Sequence, residues 1–507
     1  MTVHNASRRL FLRHTAALSG LGMAAPLALN LSAMGSAAAQ SATDYKALVC
    51  VFLYGGNDSM NMVLPTDTAT WANYTTVRNQ APDLIALMAP GTPALASAAA
   101  GTPARLGGVL PIAPARPQGR SYALHPMLGA LQTMFNDEKR LAIVPNVGPL
   151  IVPTSKSQYG LAAHPLPAHL FSHNDQANFW QAFQPEGARR GWGGMMADLF
   201  AAQNGRAVFS AISTSGNNVW LSGDTVRQYQ VGANGAVRMG TAGTNNTVYN
   251  NAAVGAAMRH ITRSVRGNHP FEQAVADINT RAIDAEETLR TVLKDPTHPL
   301  FGTAGVSPDP KLLYESPLTG TKSVNGLAVQ LQTVARMIEA SGSSEIGARR
   351  QVFFVSLGGF DTHDSQNRAH ADLYARLAQG LHYFADALAA MGMQNQVTSF
   401  TASDFGRSFT SNGDGTDHGW GAHHFVMGGV VKGGDLYGNF PVLAARSATG
   451  FFDASPDQVG NGALIPSTSV DQYGATFARW FGVSDADALA IFPHLRNFSI
   501  RDLGFMG

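Results

Sequence analysis

The sequence predicts an α/β fold with a mostly parallel central sheet flanked by helices and interrupted by long loop insertions. Three observations predict it. Apolar, β-branched runs recur, each ending in glycine, proline or a polar loop; amphipathic stretches lie before and between the later runs; Pro-, Gly- and Ala-rich segments separate the earlier ones.

The first run, Ala47 to Tyr54, is apolar throughout, as in a strand covered on both faces. It ends in Gly55-Gly56-Asn57-Asp58-Ser59, a turn that sets polar side chains at the carboxyl end of the strand, where open α/β sheets bind ligands. Arg140 to Asn146 and, more weakly, Ala207 to Ser213 follow the same grammar. Residues 74–121, 149–168 and 232–251 are rich in loop-forming types and predict surface loops or lids. From Pro270 to Lys294, Val275, Ile278, Leu289 and Val292 recur at helical spacing and predict a long outer helix. Leu327, Leu331, Val334 and Ile338 form the stripe of a second helix, ended by Gly342 before the strand Gln351 to Leu357. A third, Gln366 to Met391, carries Leu373, Leu377, Leu381, Phe384 and Leu388 and leads to the strand Val397 to Thr401, completing a βαβ unit.

The N-terminus reads as an address. Ser7-Arg8-Arg9-Leu10-Phe11-Leu12 precedes an uncharged Ala/Leu/Gly stretch from His14 to Leu31, and Ala37-Ala38-Ala39 offers a peptidase site. Residues 1–39 are therefore expected to be a twin-arginine signal peptide and residues 40–507 the mature chain, a single α/β domain. Gly20, Gly22 and Pro26 interrupt the apolar stretch, which argues against a permanent membrane anchor. The expected partner during export is the twin-arginine translocase, which carries folded cargo; the expected destination is the periplasm or the medium.

Charged residues make up 14% of the 507 and the formal net charge is +1, so no basic field exists to attract nucleic acid. The single cysteine, Cys50, lies in the first apolar run and predicts a buried strand residue without a disulfide. No Gly-x-Ser-x-Gly elbow, phosphate-cradling Walker loop or dinucleotide fingerprint occurs, so esterase and nucleotide-cofactor readings lack support.

Three strand ends carry polar clusters. Asp58 follows the first; Gly359-Phe360-Asp361-Thr362-His363 follows the strand ending near Leu357; Ser403-Asp404-Phe405-Gly406-Arg407 follows the next and leads into Asp417, His418, His423 and His424. Carboxylate and imidazole together suit Zn²⁺ or another first-row divalent ion. Each also has a plain reading: aspartates after strands cap helices and turns, and imidazoles line loops as hydrogen-bonding groups. Asp414, between Asn412-Gly413 and Gly415, is assigned to a turn.

These motifs, with Gly55-Gly56-Asn57-Asp58, Ser172-His173-Asn174-Asp175-Gln176 and Gly191-Trp192-Gly193-Gly194, resemble those of the secreted bacterial family called domain of unknown function 1501, and the resemblance runs from about Ala47 to the end. That family looks like a distant branch of the alkaline phosphatase and sulfatase superfamily. The resemblance implies an alkaline-phosphatase-like fold holding one or two divalent metals on Asp58, Asp361, His363, Asp404 and His418, with His173, Asp417, His423 and His424 as further candidates. It also implies a serine nucleophile, Ser172 or Ser59, activated by metal. Ser172 lies just before a helix expected over Gln176 to Phe183 and serves equally well as its cap. Arg407 suits either a clamp on a tetrahedral anion or an ordinary salt bridge. No Cys/Ser-x-Pro-x-Arg stretch occurs, which argues against a formylglycine sulfatase. The expectation is a metal-dependent hydrolase of phosphate or sulfate esters, on a small molecule or a polymer; the alternative is a non-catalytic exported binding or envelope-assembly protein on the same fold.

Overall fold

The computed structural model describes residues 44–507 apart from 234, 237, 240–246, 266, 268, 304 and 306, so the expected signal segment lies outside the described residues. Nine strands build the main sheet: β1 (Lys46–Tyr54), β2 (Leu141–Gly148), β3 (Ala211–Ser213), β4 (Tyr229–Gly232), β5 (Gly235–Ala236), β6 (Arg350–Gly358), β7 (Val397–Ser403), β8 (Ala422–Gly428) and β9 (Thr468–Ser469). Their order is β9-β2-β8-β7-β1-β6-β3-β4-β5. The fully apolar β1 takes the centre, pairing in parallel with β6 and β7, so that Val49 lies opposite both Phe353 and Ser399. β8 runs against β7 and β2, and β5 against β4; the other pairings are parallel.

Side chains of β1 alternate between two apolar layers. Val49, Val51 and Leu53 join one with Leu331 and Leu377, while Leu48, Cys50 and Phe52 join the other with Trp192, Trp220 and Phe477. Five helices matter below: α1 (His173–Ala182), α2 (Ala252–Arg263), α3 (Pro270–Val292), α4 (Gly326–Glu339) and α5 (Gln366–Ala390). The stripes expected of α4 and α5 are buried in full, from Leu327 through Ile338 and from Leu373 through Leu388. At roughly 1.5–3 kcal/mol for each fully buried Leu or Phe, they hold the βαβ unit together. Cys50 is buried and free, and burial pushes its thiol pKa up.

Several expectations need correction. Ala207–Phe209 is a helical turn and only Ala211–Ser213 forms a strand, because β3 pairs with β6 no earlier than Ala211. The expected loop at 74–121 contains the end of a helix, Thr68–Arg78, and the short strand Leu110–Ile112, which joins Val63–Pro65 and Tyr122–Leu124 in a small antiparallel sheet. Within 149–168 one helical turn, Lys156–Tyr159, interrupts the loop. The stretch 232–251 includes β5 but lies partly outside the described residues. α3 ends at Val292, and its Val275 and Ile278 face solvent. No described helix is long and apolar enough to cross a membrane.

Candidate metal centre at the carboxyl edge of the sheet

The central strands β1, β6 and β7 end together, and their loops cross at close range. Gly55 sits at φ 113°, and a Cβ there would lie 2.3 Å from the Asp361 nitrogen. Only glycine lets the two strand ends approach so closely. The Gly55 N–H donates to Asp404 Oδ2 at 3.1 Å, tying the end of β1 to the end of β7. Beyond Asp404 a hairpin, Arg407–Ser411 with Thr416–His418, sets Arg407 opposite His418. α1 brings His173 from the side.

The side chains converge. One ligand atom each from His173, Asp361 and His418 lie within 4.8 Å of one another, a group that can hold a metal ion. His173 Nε2 is 3.1 Å from His418 Nε2 and 3.4 Å from Asp361 Oδ2. His363 joins from the exposed side, its Nε2 3.0 Å from both His418 Nε2 and Asp361 Oδ1.

Hydrogen bonding fixes the tautomers. His418 Nδ1 lies 2.7 Å from the Phe171 carbonyl, which can only accept, so Nδ1 carries the proton and Nε2 of the neutral ring is a bare lone pair. His173 Nδ1 lies 2.7 Å from Asp404 Oδ2, and the same assignment leaves its Nε2 bare as well. Two bare lone pairs facing at 3.1 Å beside a carboxylate repel, and either a shared metal cation or a single proton bridging the two nitrogens relieves them. Imidazoles whose second nitrogen donates to a carboxylate or a backbone carbonyl are also the usual support of metal-ligating histidines. The donor set therefore fits a divalent ion.

Charge follows the same plan. The Asp404 hydrogen bond raises the His173 pKa against the lowering effect of burial. Burial lowers that of His418, although its bond to Phe171 opposes the shift. Burial would raise the Asp361 carboxyl, but the Arg407 guanidinium, 2.7 Å from Oδ1, outweighs it and holds the group below the usual carboxylate range. Phe171 has φ 72°, a left-handed conformation that costs a non-glycine residue about 1–2 kcal/mol, and its carbonyl meets His418. The Phe405 ring packs 4.7 Å from both His173 and His418 and walls the site on its inner side.

The sequence matches the family described as "Protein of unknown function (DUF1501)" over residues 45–488. The chain belongs to the DUF1501 family. No curated protein matches it. Among solved structures, this DUF1501 chain is similar to Ps i-CgsB in complex with k-i-k-neocarrahexaose, at 10% identity, covering 90% of this chain and 77% of that one with a TM-score of 0.30. It is also similar to the lipoteichoic acid synthase LtaP from Listeria monocytogenes, at 8% identity over 91% and 79% of the two chains, TM-score 0.26. The alkaline phosphatase from the Antarctic bacterium TAB5 is similar at 8% identity over 77% and 92%, TM-score 0.26. Likeness at this level carries no argument about what the DUF1501 chain does.

Of the residues expected to bind metal in this DUF1501 chain, Asp361, His363 and His418 meet and two others do not. Asp58 lies outside the cluster, fully buried, with its oxygens taken by both Arg78 amino groups, Gln366 Nε2 at 2.7 Å and the Met60 N–H at 3.2 Å. Asp404 stands behind His173 and orients it. His423 and His424 lie on β8 rather than on a loop, and burial pushes both down to about 3. Their Nδ1 atoms face the Asn146 N–H at 3.0 Å and Thr401 Oγ1 at 3.3 Å, away from the cluster. Asp417 is exposed, 3.4 Å from His363 Nδ1. Asp414 accepts from the Ser365 N–H at 3.2 Å beside the start of α5, in keeping with its turn assignment.

The expected nucleophiles and clamp also move. Ser172 caps α1 by position and donates to Asp175 Oδ2 at 2.8 Å; the Ser59 hydroxyl is buried without a partner. No hydrogen bond links either hydroxyl to the cluster. Arg407 is fully buried, its donors on Asp361, the Gly55 carbonyl and Thr416, so it positions Asp361 instead of reaching for a solvent anion. Sequence reasoning undervalued His173, because the polar cluster 172–175 drew attention to its serine. It missed Phe171 altogether, since a backbone carbonyl leaves no mark in a sequence.

Proposed function

We propose that the mature chain is a metal-dependent hydrolase of phosphate or sulfate esters, working in the periplasm or the medium after export by the twin-arginine translocase. The observation that carries this reading is the convergence of His173, His418 and Asp361, with Asp404 and the Phe171 carbonyl fixing both imidazoles. Zinc or another first-row divalent ion held by those three side chains would act as a Lewis acid on the oxygens of the transferring group. Asp404 keeps His173 Nε2 turned toward the site, and Arg407 keeps Asp361 ionised. His363, half-exposed at the rim, is suited to moving a proton at its solvent side. The test is metal analysis of the purified mature protein beside a panel of phosphate and sulfate esters. Bound divalent ion, with turnover abolished in Asp361→Ala and His418→Ala, supports the reading; no ion, or unaffected turnover, overturns it.

One observation favours a second reading, a non-catalytic exported binding or envelope-assembly protein. Neither candidate serine is hydrogen-bonded to the cluster, and Arg407 is committed inside the protein. Full metal occupancy without turnover of any ester would favour that reading.

A further inference from the structure

Gln366, the first residue of α5, is fully buried, and among the described residues it makes no hydrogen bond to His173, Asp361 or His418. Its amide is nevertheless engaged at both ends. Nε2 donates to Asp58 Oδ2 at 2.7 Å, while Oε1 accepts from the Thr416 hydroxyl at 2.7 Å and from the Thr362 hydroxyl at 3.2 Å. All three partners are buried as well. Inside such an enclosure no water offers a substitute partner, so each group keeps the role its neighbours leave it.

One charge sets the direction of every bond in this network. Asp58 is paired with Arg78 and, as a carboxylate, can only accept, so it turns the Gln366 amino group toward itself and Oε1 toward the two hydroxyls. An amide oxygen cannot donate. The Thr416 hydroxyl therefore gives its proton to Gln366 and keeps its lone pairs for the Arg407 Nε–H, 3.3 Å away. The Thr416 carbonyl accepts from Nη2 of the same guanidinium. Held along that edge, Arg407 presents Nη1 to Asp361 Oδ1 at 2.7 Å. A hydroxyl turned the other way would set its proton against the guanidinium, donor against donor.

Thr362 supplies a second route to the same ligand. It follows Asp361 in the sequence, its hydroxyl rests on Gln366 Oε1, and its carbonyl accepts from the Thr416 N–H at 3.0 Å. Gln366 thus braces both the loop that carries Asp361 and the arginine that grips it, and ties both to the interior pair Asp58 and Arg78.

We propose that Gln366 is a positioning residue for the metal centre, orienting Thr416 and through it the Arg407 guanidinium that holds Asp361. The inference rests on the metal site proposed above. Gln366→Met keeps the length of the side chain without its polar ends, and Thr416→Val removes the hydroxyl alone. Gln332→Met is the control: Gln332 is another buried glutamine, on α4, with its amide on the Phe301 and Gly302 carbonyls. The test is zinc affinity by competition with a chromophoric chelator, together with the visible spectrum of the cobalt-loaded protein and the urea midpoint. Gln366→Met and Thr416→Val should each weaken zinc binding about tenfold, the low end of what groups supporting a metal ligand contribute, and both should alter the cobalt spectrum. The double variant should bind no more weakly than the weaker single variant, because both break the same row of bonds. Gln332→Met should lower the urea midpoint and leave affinity and spectrum as they are. If Gln366→Met does not fold, Thr416→Val decides alone. A wild type that binds zinc, with affinity and spectrum unchanged in the folded site variants, overturns this proposal and leaves the metal site standing. An equal loss in Gln332→Met overturns it too, since general loosening would then explain the effect. A wild type that binds neither zinc nor cobalt overturns both.

Discussion

Replacing Asp58 by Asn separates a structural carboxylate from a metal ligand. Asp58 and Arg78 are both fully buried and pair through two hydrogen bonds. In Asp58→Asn the guanidinium stays buried without a countercharge, its acceptors reduced to the one amide oxygen left at position 58, Asn61 Oδ1 at 2.9 Å and the Ser408 carbonyl at 3.1 Å. The new amide group also sets a donor against the donors of Arg78 and Gln366. Removing one partner of a buried pair costs about 3–5 kcal/mol, a large part of the roughly 5–15 kcal/mol that holds most proteins folded. The sign with pH follows from the carboxyl itself. Burial would raise its pKa, but Arg78 outweighs burial and holds it below its ordinary value. The pair's contribution is therefore complete above the unfolded carboxylate range, near pH 4, and is lost as pH falls through the lower folded value. The assay is urea unfolding followed by circular dichroism at pH 7, with metal content measured on the folded protein. The account predicts a strong fall in the unfolding midpoint, unchanged metal stoichiometry, and partial recovery when Arg78→Met is added. A loss below about 1 kcal/mol, or a stable variant without metal, would refute the assignment of Asp58 to the interior.

Other outcomes follow from the same geometry. Asp404→Asn removes the negative charge behind His173 and leaves a single neutral acceptor there, and metal affinity measured by competition with a chromophoric chelator should fall about 10–100-fold without loss of fold. Because Asp404 raises the His173 pKa, protons compete for that imidazole above the usual histidine range. Wild-type metal affinity should weaken as pH falls through that raised value, and in Asp404→Asn the weakening should begin at lower pH. Ser59→Ala removes a buried hydroxyl that has no partner and should leave the melting temperature unchanged or slightly higher, while Ser172→Ala should cost about 1 kcal/mol in urea unfolding. Neither should alter metal stoichiometry. Stripping the protein with a chelator should lower its melting temperature, since an ion at a hundred times its dissociation constant stabilises the folded state by about 2.7 kcal/mol.

The strands that build the site were legible because burial on two faces writes itself as unbroken apolar runs. β1, β6 and β7 lie within one or two residues of where those runs place them, and α4 and α5 follow their stripes. Toward one edge of the sheet the signal fades: the pattern predicts β3 with four residues too many at its start and does not predict β4 or β5 at all, since these strands are two to four residues long and held by pairing with a neighbour and not by any pattern of their own. At the site, residue type revealed Asp361, His363 and His418 but could not rank one carboxylate above another. Asp58 and Asp404 carry the same local signature as Asp361, and what separates them is a distant partner: Arg78 for the first, His173 for the second. His423 and His424 looked like a histidine-rich loop because the alternation that would reveal β8 is hidden when both faces of a strand are buried.

The claim on which the rest depends is that one cation sits among His173, His418 and Asp361. Anomalous diffraction from crystals of the mature protein, recorded on both sides of the absorption edge of the metal found by elemental analysis, tests it directly. The account predicts a single strong peak within coordination distance of both Nε2 atoms and an Asp361 oxygen, with Asp404 and the Phe171 carbonyl on the far nitrogens. A peak centred on Asp58 or on the β8 histidines, or no peak in protein grown with zinc, would contradict it.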